Sequence, residues 1–185
     1  SSDYSGTSVS LSSDGSIVAI GADYNDGNGS NSGHVRVYEW NGSAWVQRGI
    51  DIDGEASFDY CGSSVSLSSD GSIVAIGAGN NDGNGSNSGH VRVYEWNGST
   101  WLQKGNNIDG EASGDKSGLS VSISSDGSIV AIGARYNDGN GSNSGHVRVY
   151  EWNGSAWVQR GIDIDGEASS DYSGTSVSLS SDGSI

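Results

Sequence analysis

The sequence predicts an all-β fold: tandem 56-residue, four-stranded antiparallel blades, β-propeller-like, as an open array or part of a larger propeller or filament. Three observations predict it. One paragraph of sequence is written three times and begun a fourth, so that Asp14, Asp70, Asp126 and Asp182 hold one place in successive copies. His34, His90 and His146 do the same, and residues 1–17 recur unchanged as residues 169–185. The apolar stretches are short and alternate with period two, and no segment carries a helical period. Turn sequences rich in Asn, Asp and Gly separate them. The blades are residues 1–56, 57–112 and 113–168, with 169–185 as the first strand of a further blade in one array.

The elements follow in order along the first copy. Residues 7–12 (TSVSLS) alternate Val9 and Leu11 with Ser8, Ser10 and Ser12, which is strand periodicity. Ser13–Ser16 (SDGS) is a hairpin turn of the Asp-Gly kind. Ile17–Ala22 (IVAIGA) is apolar on both faces, as a strand covered on both sides must be. Asp23–Gly33 is a long polar loop. His34–Trp40 (HVRVYEW) is a third strand, Asn41–Ser43 a tight turn, and Ala44–Gly49 a fourth, outer strand. Ile50–Gly62 is an acidic crossover into the next copy. A sheet apolar on both faces needs a neighbour on each side, so a lone copy is expected to be unstable and stacking to supply the missing burial.

Charge and composition exclude several classes. Eight Lys and Arg against 23 Asp and Glu give a formal net charge of −15. A nucleic-acid partner needs a basic footprint, and an anionic membrane surface repels such a chain. No apolar run is long enough for a membrane-spanning helix. The sequence has no signal peptide and no initiator Met, so it reads as a mature product or an excerpt. Cys61 is the one cysteine, and its counterparts are Ser5, Ser117 and Ser173, so the repeat does not depend on a thiol. Proline is absent, and 31 glycines supply the turns.

The stretches SG-x-SVSLSSDGSIVAIGA, SGHVRVYEWNGSAWVQRG and DIDGEAS-x-D-x-SG resemble the FG-GAP repeat family, the blades of integrin-α-like propellers. The resemblance covers the whole chain and implies propeller-like blades of an extracellular or cell-surface protein. The chain departs from the family at two places. Ser5, Cys61, Ser117 or Ser173 stands where Phe precedes Gly, and Asp23, Gly79 or Arg135 stands where Pro follows Gly-Ala. Calcium-binding members carry an Asp-rich loop between strands one and two; here that loop is SSDGS with a single carboxylate, so calcium does not carry over to it.

Three blades are too few for a ring. Both ends carry the same first strand and hairpin, so they do not complement one another. A larger propeller, several chains sharing one, and an open fibre all remain open. Partners are then copies of the chain itself, through repeat stacking or pairing of unpaired strand edges, besides glycans or surface proteins. No nucleic acid and no membrane insertion are expected.

Copy-to-copy differences cluster on the face that carries the long loops. Ser2, Phe58 and Gly114 correspond, as do Asp23, Gly79 and Arg135. Tyr4, Asp23, Tyr24, Tyr60, Arg135 and Tyr136 therefore make a candidate ligand face, against the plainer reading of drift in solvated loops. The DIDGE segments offer Asp51, Asp53 and Glu55, and Asp163, Asp165 and Glu167, as a candidate calcium group, because hard cations take several oxygens around a tight turn. Copy two interrupts the pattern with Asn107. The Asn25–Gly33 loop could offer oxygens to a sugar or metal, or be a plain long turn. Asn28, Asn41, Asn84, Asn97, Asn140 and Asn153 head N-x-S/T glycosylation sequons in turns. The three histidines are expected to be exposed or satisfied at a strand edge. Trp40 and Trp45 are expected to pack across their hairpin or stack on a sugar.

No catalytic constellation stands out, and no cofactor is required. The sequence favours a non-enzymatic extracellular structural repeat protein, glycosylated, forming a surface array, sheath or filament. The alternative is an adhesion propeller that recognises carbohydrate or protein through its acidic loop face, with or without a cation.

Overall fold

The computed structural model describes residues 3–184; residues 1, 2 and 185, and with them the Ser2 position, lie outside the described residues. The first copy contains β1 (Ser8–Leu11), β2 (Ile17–Ala22), β3 (His34–Trp40), β4 (Trp45–Gln47) and β5 (Ile52–Asp53). The second contains β6 (Ser64–Leu67), β7 (Ile73–Ala78), β8 (His90–Trp96), β9 (Trp101–Gln103) and β10 (Ile108–Asp109). The third contains β11 (Ser120–Ile123), β12 (Ile129–Ala134), β13 (His146–Trp152), β14 (Trp157–Gln159) and β15 (Ile164–Asp165). Each copy is one antiparallel sheet in the order β1-β2-β3-β4, as the sequence predicts. Among the described residues there is no helix.

The acidic crossover does more than connect. Its Ile52 and Asp53 form β5 and pair with Val35 and His34, while β4 pairs with Tyr38–Trp40 farther along the same strand. Two short strands thus share the outer edge of β3, and no long edge is left bare. This pairing fixes where each crossover carboxylate lies.

The hydrophobic cores lie between blades. Alternate side chains of β7 point opposite ways: Val74, Ile76 and Ala78 join Ile17, Ala19, Val35 and Val37 of the first blade. Ile73 and Ala75 join Ile123, Val130 and Ile132 of the third. That is why IVAIGA is apolar throughout, and why one blade alone leaves half of it in water.

The alternation in the first strand serves the same seam. Val65 and Leu67 enter the core shared with the first blade, and the intervening serines bond to the third. Ser64 Oγ donates to Gly118 O at 2.8 Å, and Ser66 Oγ accepts from Ile123 N at 3.1 Å. Successive blades are also stitched at the hairpins, where Ser13 N donates to Ser69 O, Ser69 N to Ser125 O and Ser125 N to Ser181 O, each at 2.8 Å. Gly21 sits at the closest approach: a Cβ there would lie 2.0 Å from Gly62 O, and Gly77 and Gly133 repeat the arrangement.

Residues 176–179, the counterparts of β1, are not paired as a strand, because the counterpart of β2 is not among the described residues. They still dock on the third blade, with Leu179 N donating to Ser122 Oγ at 3.0 Å. The stack ends in two open faces. Val9, Leu11 and Trp45 are exposed, whereas their counterparts Val65, Leu67 and Trp101 are buried. At the other end Ile162 is 90% exposed.

Candidate functional site: the blade junctions and the loop face

The Asp-Gly hairpins commit their carboxylates to the turn. Asp14 accepts from Ser16 N at 2.9 Å, Ser12 Oγ at 2.7 Å and Ser16 Oγ at 2.8 Å. The Ser16 amide, then the two hydroxyls, hold its pKa at about 2.

The crossover carboxylates are divided between blades. Asp51 pairs with Arg36 of its own blade, Nη2 to Oδ2 at 2.8 Å, and that bond holds its carboxyl below the usual range. Glu55 reaches the next blade, 3.8 Å from both His90 Nδ1 and Arg92 Nη1. Asp51, Asp53 and Glu55 therefore do not converge on one point; the converging group is His34, Asp51 and Asp53. In the third blade the converging group is Glu111, His146 and Asp163, with Glu111 supplied by the second blade. Asp165 and Glu167 lie outside that group and are exposed.

Of the two expectations for the histidines, exposed or satisfied at a strand edge, exposure does not hold. His34, His90 and His146 are buried. Each begins strand three where a two-residue crossover strand pairs with it, and for His90 and His146 a glutamate of the preceding blade adds to the cover, so a polar residue in a strand pattern becomes interior. Burial, then the adjacent Arg92 charge, pushes His90 down to about 4; burial, then the Arg36 charge, lowers His34.

Asn107 changes the second junction. Where Arg36 and Arg148 meet an aspartate of their own blade, Arg92 instead donates to Asp53 O at 2.7 Å and Cys61 Sγ at 3.4 Å, with Glu55 3.8 Å away. Cys61 is fully buried, and desolvation raises its thiol pKa.

The outer strands supply the other half of each junction. Trp101 Nε1 donates to Arg48 O at 2.8 Å, and Arg48 stacks over Trp96 at 5.0 Å. Lys104 and the third-blade pair Trp152 and Trp157 repeat this. Gly49 lies beneath Trp96 with φ +82°, and a Cβ there would be 2.8 Å from the ring.

On the loop face, Tyr4, Tyr24 and Tyr60 form an edge-to-face row with centroids 4.8 and 5.0 Å apart. Tyr4 and Tyr60 have positive φ. Asp23 is buried and accepts from Thr7 Oγ1 at 2.8 Å. Arg135 stacks on Tyr136 at 4.7 Å, and Tyr136 meets Tyr172 at 5.8 Å. The long loops are internally braced: Asn28 Nδ2 donates to Gly54 O at 2.8 Å, as Asn84 and Asn140 do to Gly110 and Gly166. Asn41, Asn97 and Asn153 instead use Oδ1 to cap their turns.

Fold and junctions together define a tandem-blade repeat protein. The chain belongs to the FG-GAP repeat family, whose pattern it matches over residues 1–38, 50–94 and 108–150. No curated protein matches it. Among solved structures it is similar to a putative 6-phosphogluconolactonase from Bacteroides uniformis, at 12% identity and TM-score 0.56, over 85% of this chain and 40% of that one. It also aligns with Kuenenia stuttgartiensis hydrazine synthase, at 14% identity and TM-score 0.49, over 88% of this chain and 37% of that one. The chain thus spans less than half of either, and the likeness to the first extends to the fold alone.

Proposed function

We propose that the protein is a non-enzymatic structural repeat protein of the cell surface or extracellular space, whose copies join head to tail into an array, sheath or filament. One observation carries this reading: the open face of the first blade and the uncovered outer part of the third are complementary halves of the internal junction, while the inner seam at the far end is held by residues 174–181 of the same chain. The first blade presents a groove of about 290 Å³ lined by Val18, Ile20, His34, Arg36, Tyr38 and Trp45. Its counterparts in the second blade are filled by the first. The far end presents Arg160 and Gly161, the counterparts of Arg48 and Gly49, with nothing within 4 Å of a Cβ at Gly161. Charge agrees as well. Glu167, the counterpart of Glu55 and Glu111, is exposed and stands to meet His34 and Arg36 of the next copy. Faces that complement each other without closing generate filaments.

Sedimentation velocity and electron microscopy of the full chain test this. Oligomers that grow with concentration, and that Trp45→Glu abolishes, support it. A monomer at every concentration contradicts it.

A second reading rests on the tyrosine row. Exposed aromatics on a loop face suit stacking on sugar rings in an adhesion role, and loss of glycan binding on Tyr24→Ala tests it. Any calcium at the crossovers belongs to this reading.

A further inference from the structure

At the junction between the second and third blades, one ring nitrogen and two carboxylate oxygens converge without a hydrogen bond between the nitrogen and either oxygen. His146 Nδ1 is buried and makes no hydrogen bond. It faces Asp163 Oδ2 at 3.6 Å and Glu111 Oε2 at 3.9 Å. The preceding junction has the same His and Glu but Asn107 in place of the aspartate. There Asn107 Nδ2 sits between the two, 3.4 Å from both His90 Nδ1 and Glu55 Oε2. The chain thus contains its own comparison: an amide fills one junction, and in the other an unbonded imidazole nitrogen faces two carboxylates.

We propose that Glu111, His146 and Asp163 bind a divalent transition-metal ion of the zinc class, clamping the second blade to the third. The spacing supports an ion over a proton. An N–H···O hydrogen bond spans about 2.7–3.2 Å, shorter than either separation. Ligands about 2.0–2.2 Å from a tetrahedral ion lie roughly 3.3–3.6 Å apart, close to what is found. One imidazole nitrogen with two carboxylate oxygens suits zinc; calcium takes six to eight oxygens.

The surroundings fit. Arg148 orients both carboxylates, with Nε on Asp163 Oδ1 at 3.0 Å, Nη2 on Asp163 Oδ2 at 3.1 Å, and Nη2 also on Glu111 Oε1. Gln159 Nε2 donates to Asp163 Oδ1 at 2.6 Å. Two carboxylates outnumber the one guanidinium beside them. An open depression bordered by Glu111, Arg148, Gln159 and Asp163 gives an ion entry and leaves room for water as a fourth ligand.

The test is calorimetry of the chelator-treated full chain with zinc chloride, in a His34→Gln background that removes the other converging group. One equivalent of zinc and a raised melting temperature are expected. Asp163→Asn, which copies the residue at position 107, should keep the circular dichroism of the parent and weaken binding by more than about 100-fold, beyond what outer-shell changes cost. Asn107→Asp should add a second equivalent. Cobalt should give the visible absorption of a tetrahedral site in the parent and none in Asp163→Asn. Absence of zinc heat in the parent, or binding that survives Asp163→Asn, overturns the proposal. So does an imidazolium at His146 in nitrogen NMR that zinc does not displace.

Discussion

Trp101 Nε1 donates to the carbonyl of Arg48 at 2.8 Å, a bond between residues 53 positions apart and on different blades. Trp45, the same residue one copy earlier, lacks this partner and is 45% exposed. The pair turns one residue type into a measure of what a neighbouring blade contributes. We expect Trp101→Ala to destabilise the chain by about 3–5 kcal/mol, as large aromatic truncations in cores do. Trp101→Phe, which removes chiefly the bond, should cost about 0.5–1.5 kcal/mol. Trp45→Ala in dilute monomer should cost less than about 1 kcal/mol. Denaturant midpoints at matched slopes check all three.

The hairpin carboxylates set the acid limb of stability. Asp14 and Asp182 lie at about 2, from the ordinary 3.8, through bonds from Ser16 and Ser12 and from Ser180 and Ser184. For Asp126 the Ser124 hydroxyl leads; for Asp70 burial opposes, and the Ser72 and Ser68 bonds outweigh it. Each folded pKa is depressed, so the contribution is complete above about pH 4 and is lost as pH falls toward 2. Melting temperature should decline across that window, and Asp70→Asn with Asp126→Asn should flatten the decline.

Cys61 gives a reporter of junction opening. It is buried with a raised thiol pKa, so we expect no reaction with a thiol reagent in the native chain and full reaction in denaturant. Its labelling rate at intermediate denaturant should track unfolding. Rapid labelling of the native chain would place Cys61 outside the junction core.

The two sets of sequons are not equivalent. Asn28, Asn84 and Asn140 use the very nitrogen a glycan would occupy, donating it to a backbone carbonyl of the crossover. Asn41, Asn97 and Asn153 keep theirs clear of the turn's bonds. In a secretory host we expect glycopeptides at the second set and not at the first. Occupancy at Asn28 with an unchanged melting temperature would contradict this.

Much of the fold was legible because period-two alternation and Asp-Gly turns are local signals. The strands at Ile17–Ala22 and His34–Trp40 fall where the pattern puts them. The two-residue β5 was not legible, because Ile52 and Asp53 are too short to show a period and sit in an acidic stretch. Burial of the histidines was hidden for a related reason: their cover comes from the crossover and, for His90 and His146, from another copy. The Glu111–His146–Asp163 group joins residues of two copies, so no spacing within one copy reveals it. Its one signal in sequence was Asn107, which reads as a broken motif until Asn107 is seen between His90 and Glu55.

We expect stability to reside in the junctions and not in the blades. The three IVAIGA strands are identical in sequence and differ only in their flanks. Val74, Ile76, Val130 and Ile132 are fully buried, whereas Val18 and Ile20 are half-exposed on the open face. Native-state amide hydrogen exchange, resolved by NMR in dilute monomer, compares them directly. The account predicts that β7 and β12 are markedly more protected than β2. Equal protection in all three strands would contradict it.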